Sequence, residues 1–219
     1  MIRASIFALS LLMAAPALAA PEVDGHSHEA PDYVFTEAPT DHVLGSAEAD
    51  NTLIIYASNV CPACGNWFST HWSSVKSELV ETGQLRFVFR PFVTQPADLS
   101  FTGFLMAECA PSETYMTVIE DQFSRQRTIL EAAQAGDGDK LKAQYDAIAK
   151  VAGLTDVPSI SACLQDKANA DPIMTSVNRA NAGGISGVPS FIFNGTVMTG
   201  AHDLEAIEGW IEGRSSARP

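Results

Sequence analysis

The apolar run Leu53-Ile54-Ile55-Tyr56-Ala57 is followed, after three residues, by Cys61-Pro62-Ala63-Cys64, and a helical pattern begins at once. An unbroken apolar run of this length suits a strand covered on both faces. Phe68, Trp72, Val75 and Leu79 then fall on one stripe of an amphipathic helix that ends near Gly83. Leu85-Arg86-Phe87-Val88-Phe89-Arg90 reads as a second strand stopped by Pro91. The result is a β-α-β unit with the cysteine pair at its first strand-to-helix turn.

That location gives the pair its chemistry. A helix N-terminus presents unpaired N–H groups and a positive dipole end, which favour a thiolate over a thiol. Pro62 at the first helical position loses only a donor that had no partner, and its fixed φ starts the helix. The N–H groups of Ala63 and Cys64 are placed to point back at the Cys61 sulfur. Cys61 is therefore the expected nucleophile and Cys64 the partner that closes or resolves a disulfide. The same spacing also forms half of a zinc site, and an inert buried pair is the bland alternative.

The first residues indicate a compartment. Arg3, the apolar stretch from Ile6 to Ala15, and Ala17-Leu18-Ala19 form the pattern of a cleaved signal peptide over 1–19. The apolar stretch is too short to span a bilayer. An exported protein meets an oxidising environment in which its four cysteines can persist as disulfides. The formal net charge of −13 falls by one more unit when Arg3 leaves, which disfavours nucleic acid and anionic membrane surfaces as partners.

Residues 20–41 are expected as a flexible lead-in before a domain over 42–219. Residues 20–32 show no periodicity, and Tyr33–Thr36 is a candidate short edge strand. At the far end, Ser190–Phe193 and Thr196–Thr199 flank Asn194-Gly195, a dipeptide suited to the positive φ of a tight hairpin. A last helix is expected from Asp203, with Leu204, Ile207 and Ile211 on one side. Between the halves, roughly 97–183, apolar residues recur at helical spacing and no strand stands out. The expected class is α/β: β-α-β, a helical insertion, then β-β-α.

This layout resembles the thioredoxin fold as DsbA-like thiol:disulfide oxidoreductases carry it. The residues bearing the resemblance are Tyr56–Cys64, Arg86–Phe92, and Gly187-Val188-Pro189-Ser190-Phe191-Ile192-Phe193-Asn194-Gly195. The resemblance implies a periplasmic enzyme with catalytic Cys61 and Cys64, no cofactor and no metal. It implies that Pro189 is a cis proline facing the cysteine pair, so that Pro62, Ala63, Val188 and Pro189 shape the substrate site. It also implies a structural disulfide between Cys109 and Cys163, two separate buried thiols being the alternative. Substrates would be reduced exported proteins with cysteine thiols, and reoxidation would come from a DsbB-like membrane partner.

Two residues depart from the pattern. Ala63 stands where many relatives place histidine, which leaves backbone dipoles to stabilise the thiolate and suggests a milder oxidant. Ile55 stands where related folds often bury an acid, and neither Glu78 nor Glu108 can be assigned as a base for Cys64. The expected function is a dithiol oxidase that introduces disulfides into exported proteins through a Cys61 mixed disulfide, and a periplasmic reductase or isomerase is the alternative in the same class. Isomerases usually oligomerise through an N-terminal extension, and the short lead-in points to a monomer. A thiolate metal chaperone using Cys61, Cys64 and a histidine is the alternative from another class. His26 and His28 supply only two ligands, His71 reads as solvent-facing, and His202 reaches the site only if its loop folds back. Trp67 and Trp72 read as packing residues that could also present an aromatic surface near Cys61.

Overall fold

The computed structural model describes residues 33–213. The expected signal peptide, residues 20–32 of the lead-in, and His26 and His28 lie outside the described residues. Five strands, β1 (His42–Leu44), β2 (Asn51–Ala57), β3 (Leu85–Pro91), β4 (Ser190–Phe193) and β5 (Thr196–Val197), form one sheet in the order β1-β3-β2-β4-β5. β2 and β3 are parallel, with Leu53 opposite Phe87 and Ile55 opposite Phe89, and the other pairs are antiparallel.

The central strand has cover on both faces, as its apolar run requires. Leu53 and Ile55 join Phe87, Phe89 and Phe191 in the larger core, whereas Ile54 and Tyr56 join Val88, Ile192, Ala180 and Val34 behind the sheet. Each fully buried side chain of this size contributes about 1.5–3 kcal/mol relative to exposure.

Helix α1 opens at Pro62–Trp67 and continues through wide π-type turns at Phe68–Trp72 and Lys76–Val80, joined by Ser73–Val75. Its stripe of Phe68, Trp72, Val75 and Leu79 is buried. The insertion consists of α2 (Ala97–Glu108), α3 (Tyr115–Ala135), α4 (Gly138–Val151), α5 (Val157–Gln165) and α6 (Lys167–Ala182). It joins the core through α3, where Phe123 stacks on Phe68 at 3.9 Å between ring centres. The hairpin turns at Asn194 and Gly195, with φ of 46° and 83°, as the Asn-Gly pair predicts. Helix α7 (Leu204–Ile211) starts from Asp203, whose side chain accepts from the Ala206 N–H.

The N-terminal segment differs from expectation. Residues 33–41, assigned by sequence to the lead-in, pack against the sheet, with Val34 and Ala38 buried. Tyr33–Thr36 is not a strand, and the edge position belongs to His42–Leu44. The reason lies in Arg90, which β3 points into the space behind the sheet. Its guanidinium donates to the carbonyls of Val34 (2.8 Å) and Thr36 (2.6 Å), to the Tyr56 hydroxyl (2.7 Å) and to Asp41 (2.7 and 3.1 Å). Carbonyls engaged by a buried side chain need no ladder partner.

Candidate active site

Strand β2 ends at Ala57, and the turn Ser58-Asn59-Val60 delivers Cys61 to the N-cap of α1 in an extended conformation (φ −81°, ψ 119°) with Pro62 at the first helical position. Cys64, one turn on, is fully buried, Cys61 is half-buried, and both are free thiols. Pro62 and Ala63 are exposed. The Cys61 side chain makes no hydrogen bond to the first-turn N–H groups, contrary to expectation. As a thiol it is a donor, and its S–H points instead at the Val188 carbonyl, 3.5 Å away.

The Val188–Pro189 peptide is cis, as the resemblance implies. Pro189 immediately precedes β4, so the sheet itself brings Val188 against Cys61 across 127 positions of sequence. Beyond it a groove of about 490 Å³ is lined by Gly187, Val188, Pro189, Ser190 and Val197.

Burial pushes the Cys64 thiol's pKa well above the ordinary thiol range, and the neighbouring Cys61 adds to the rise. The Ser58 N–H, 3.5 Å from the Cys64 sulfur, offsets part of it. Neither glutamate named from sequence serves as a nearby base. Glu78 is exposed, and Glu108 pairs with His42 at 3.0 Å beside Tyr115. Ile55 is fully buried in the core.

What surrounds the turn instead is an uncharged network that sequence reasoning missed. The Ser58 hydroxyl bonds to those of Thr94 (2.7 Å) and Ser100 (3.2 Å). Asn59 donates to the Ser100 carbonyl (3.1 Å) and to the Gln122 side chain (2.8 Å). Gln126 donates to the carbonyls of Asn59 and Cys61. A signal was present: Gln122 and Gln126 interrupt the otherwise apolar face of α3 formed by Ile119, Phe123 and Ile129.

The loop carrying His202 does fold back, and its ring stacks on Phe191 at 4.2 Å, two residues beyond Pro189. Burial lowers the His202 pKa. Its carbonyl accepts from the Trp67 indole N–H at 2.6 Å, and the Trp72 indole donates to Glu120 at 2.8 Å. Trp67 and Trp72 are each 5% exposed, so they are core residues and present no aromatic surface. His71 is half-buried on α1. Cys109, in the turn after α2, and Cys163, on α5, are joined by a disulfide with Cα atoms 5.9 Å apart. Among the described residues no group of three or more His, Cys, Asp or Glu side chains is arranged to hold a metal ion.

A thiol pair at a helix start, facing a cis proline that opens the neighbouring strand, defines a thioredoxin-type site. The profile of the thioredoxin family matches residues 37–213, and the chain belongs to that family. A relative from Rickettsia bellii, provisionally named a protein-disulfide oxidoreductase, is 23% identical over 203 residues, covering 90% of this chain and 75% of the relative. The crystal structure of α-DsbA1 from Wolbachia pipientis superposes with a TM-score of 0.68 at 21% identity, covering 81% of this chain and 92% of that one. A protein-disulfide isomerase from Novosphingobium aromaticivorans gives 0.64 at 22% identity, with 80% and 96% covered. DsbA from Chlamydia trachomatis gives 0.63 at 16% identity, with 82% and 93% covered. The fold is therefore the DsbA type, a thioredoxin sheet with a helical insertion.

Proposed function

We propose that the chain is an exported protein thiol:disulfide oxidoreductase that acts as a dithiol oxidase. The observation that carries this reading is the Cys61 sulfur at the start of α1, 3.5 Å from the Val188 carbonyl, with Cys64 buried beneath it. In the oxidised enzyme a substrate thiolate attacks the Cys61 sulfur. The Cys61–Cys64 bond breaks, its electron pair goes to the Cys64 sulfur, and that sulfur takes up a proton. A second substrate thiolate then attacks the substrate sulfur of the mixed disulfide and expels Cys61. Two electrons pass from the substrate dithiol to the protein.

The partly exposed backbone at Val188, beside its groove, can pair with an extended substrate segment as an added strand while the substrate cysteine meets Cys61. Substrates are reduced cysteine-containing exported proteins in the periplasm, the chain acts as a monomer, and a DsbB-like membrane partner restores the disulfide. Cys109–Cys163 serves structure, since it lies within the insertion. Cys64 is slow to attack because burial keeps it protonated.

The test is the reduction potential of the Cys61–Cys64 pair against glutathione, together with oxidation of a reduced dithiol peptide by the purified oxidised protein. A potential well above that of a reducing thioredoxin, with peptide oxidation lost in Cys61→Ser, is the expected result. Cys64→Ser, which forms no internal disulfide, should attack the same peptide supplied in its disulfide form and accumulate the Cys61 mixed disulfide, seen as a mass increase equal to the oxidised peptide. A potential as low as that of thioredoxin would overturn the oxidase assignment in favour of a reductase.

A further inference from the structure

We propose that Gln126, on α3 of the helical insertion, is the positioning residue of the Cys61 turn, and that Gly65 is the notch that admits it. The inference rests on the exchange chemistry proposed above. Gln126 is 6% exposed, in the apolar face of a helix, where an amide is costly unless its hydrogen bonds are made. Its Nε2 donates to two carbonyls, those of Asn59 at 2.9 Å and Cys61 at 3.0 Å. These carbonyls bracket the turn between β2 and α1. The Cys61 carbonyl also accepts the Gly65 N–H at 3.0 Å, the bond that closes the first turn of α1.

Access to those carbonyls depends on residue 65 having no side chain. A Cβ built at Gly65 would lie 2.0 Å from Gln126 Oε1 and 2.7 Å from its Cδ, so any larger residue must push the amide away. Gln122, one turn earlier, grips the same segment through Asn59 and is anchored to the Gly103 carbonyl at 2.7 Å. The insertion thus holds the nucleophile's backbone with two neutral amides. The orientation that aims the Cys61 sulfur at Val188 is set from α3.

Five variants test the assignment: Gln126→Met, which keeps the volume and removes both donors, Gln126→Glu, Gln126→Ala, Gly65→Ala, and the Gly65→Ala/Gln126→Ala double variant. Loss of a hydrogen bond worth about 1.4 kcal/mol predicts roughly tenfold slower peptide exchange at neutral pH for Gln126→Met. Its reduction potential should move with the rate. Gln126→Glu places a negative charge against the turn and should shift the thiolate absorbance titration of the Cys61 nucleophile upward, beyond Gln126→Met. Gly65→Ala should slow exchange alone, yet add nothing to Gln126→Ala, because the notch is then empty. Wild-type rate, potential and titration in Gln126→Met, or equal harm from Gly65→Ala in both backgrounds, would overturn the inference. If the wild-type protein itself performs no exchange, the functional proposal fails separately. The urea stability of the single and double variants then decides the Gly65–Gln126 contact: coupled losses support it and additive losses reject it.

Discussion

At the scale of single residues, a buried thiol and a half-buried imidazole set opposite pH limits. Cys64 is held as a neutral thiol, its folded pKa raised mainly by burial. In the unfolded chain a thiol ionises near about pH 8.5. The unfolded state therefore releases a proton that the folded state keeps, and stability present below that pH is lost as pH rises through it. Urea midpoints of the reduced protein should fall between neutral pH and about pH 10, before tyrosines titrate. The fall should be shallower in Cys64→Ala. His202 behaves in the opposite sense. Burial against Phe191 lowers its folded pKa. An unfolded imidazole takes up its proton near about pH 6.5, so stability present above that pH is lost as pH falls. Thermal midpoints should drop from pH 7.5 to 5.5 in the wild-type protein and drop less in His202→Phe.

Among elements, the decisive contact ties the N-terminal segment to the sheet and the insertion. Asp41 sits between Arg90 of β3 (2.7 Å) and Arg179 of α6 (3.2 Å), all three nearly inaccessible to solvent. Breaking a buried pair strands a charge, which costs about 3–5 kcal/mol. Asp41→Ala should lower the unfolding free energy by that amount in urea titration, and the oxidised form should lose as much as the reduced form. A segment legible only as a lead-in is thus part of the folded unit. Its composition gives no period because its work is done by single carbonyls and two carboxylates, Asp41 and the Glu37 that pairs with Arg86 of β3.

Across the whole molecule, the thioredoxin half and the insertion share one core. The Cys109–Cys163 bridge staples the insertion across a separation of 54 residues. Closing such a loop stabilises by about 4 kcal/mol in the chain-entropy account. Cys109→Ala/Cys163→Ala should lower the unfolding free energy by up to that amount. Peptide exchange by the folded fraction should keep its rate, because neither residue contacts Cys61 or Cys64. Calorimetry beside single-turnover kinetics checks both halves of the expectation.

Strand β2, the stripe of α1, the Asn-Gly hairpin and the Cys61–Cys64 pair were all readable because each depends on residues a few positions apart. Periodicity, a proline at a helix start and a turn needing positive φ are local constraints. The resemblance carried the reading further, to the cis peptide before Pro189. Packing alone decided the rest: the Val188 carbonyl at the Cys61 sulfur, Gln126 on the turn 65 positions away, and Arg90 drawing Val34 and Thr36 behind the sheet. Those contacts join segments whose separation no period encodes. Buried polar groups accept whatever partner the fold brings within hydrogen-bond reach, so their pairing becomes visible only once the chain has closed.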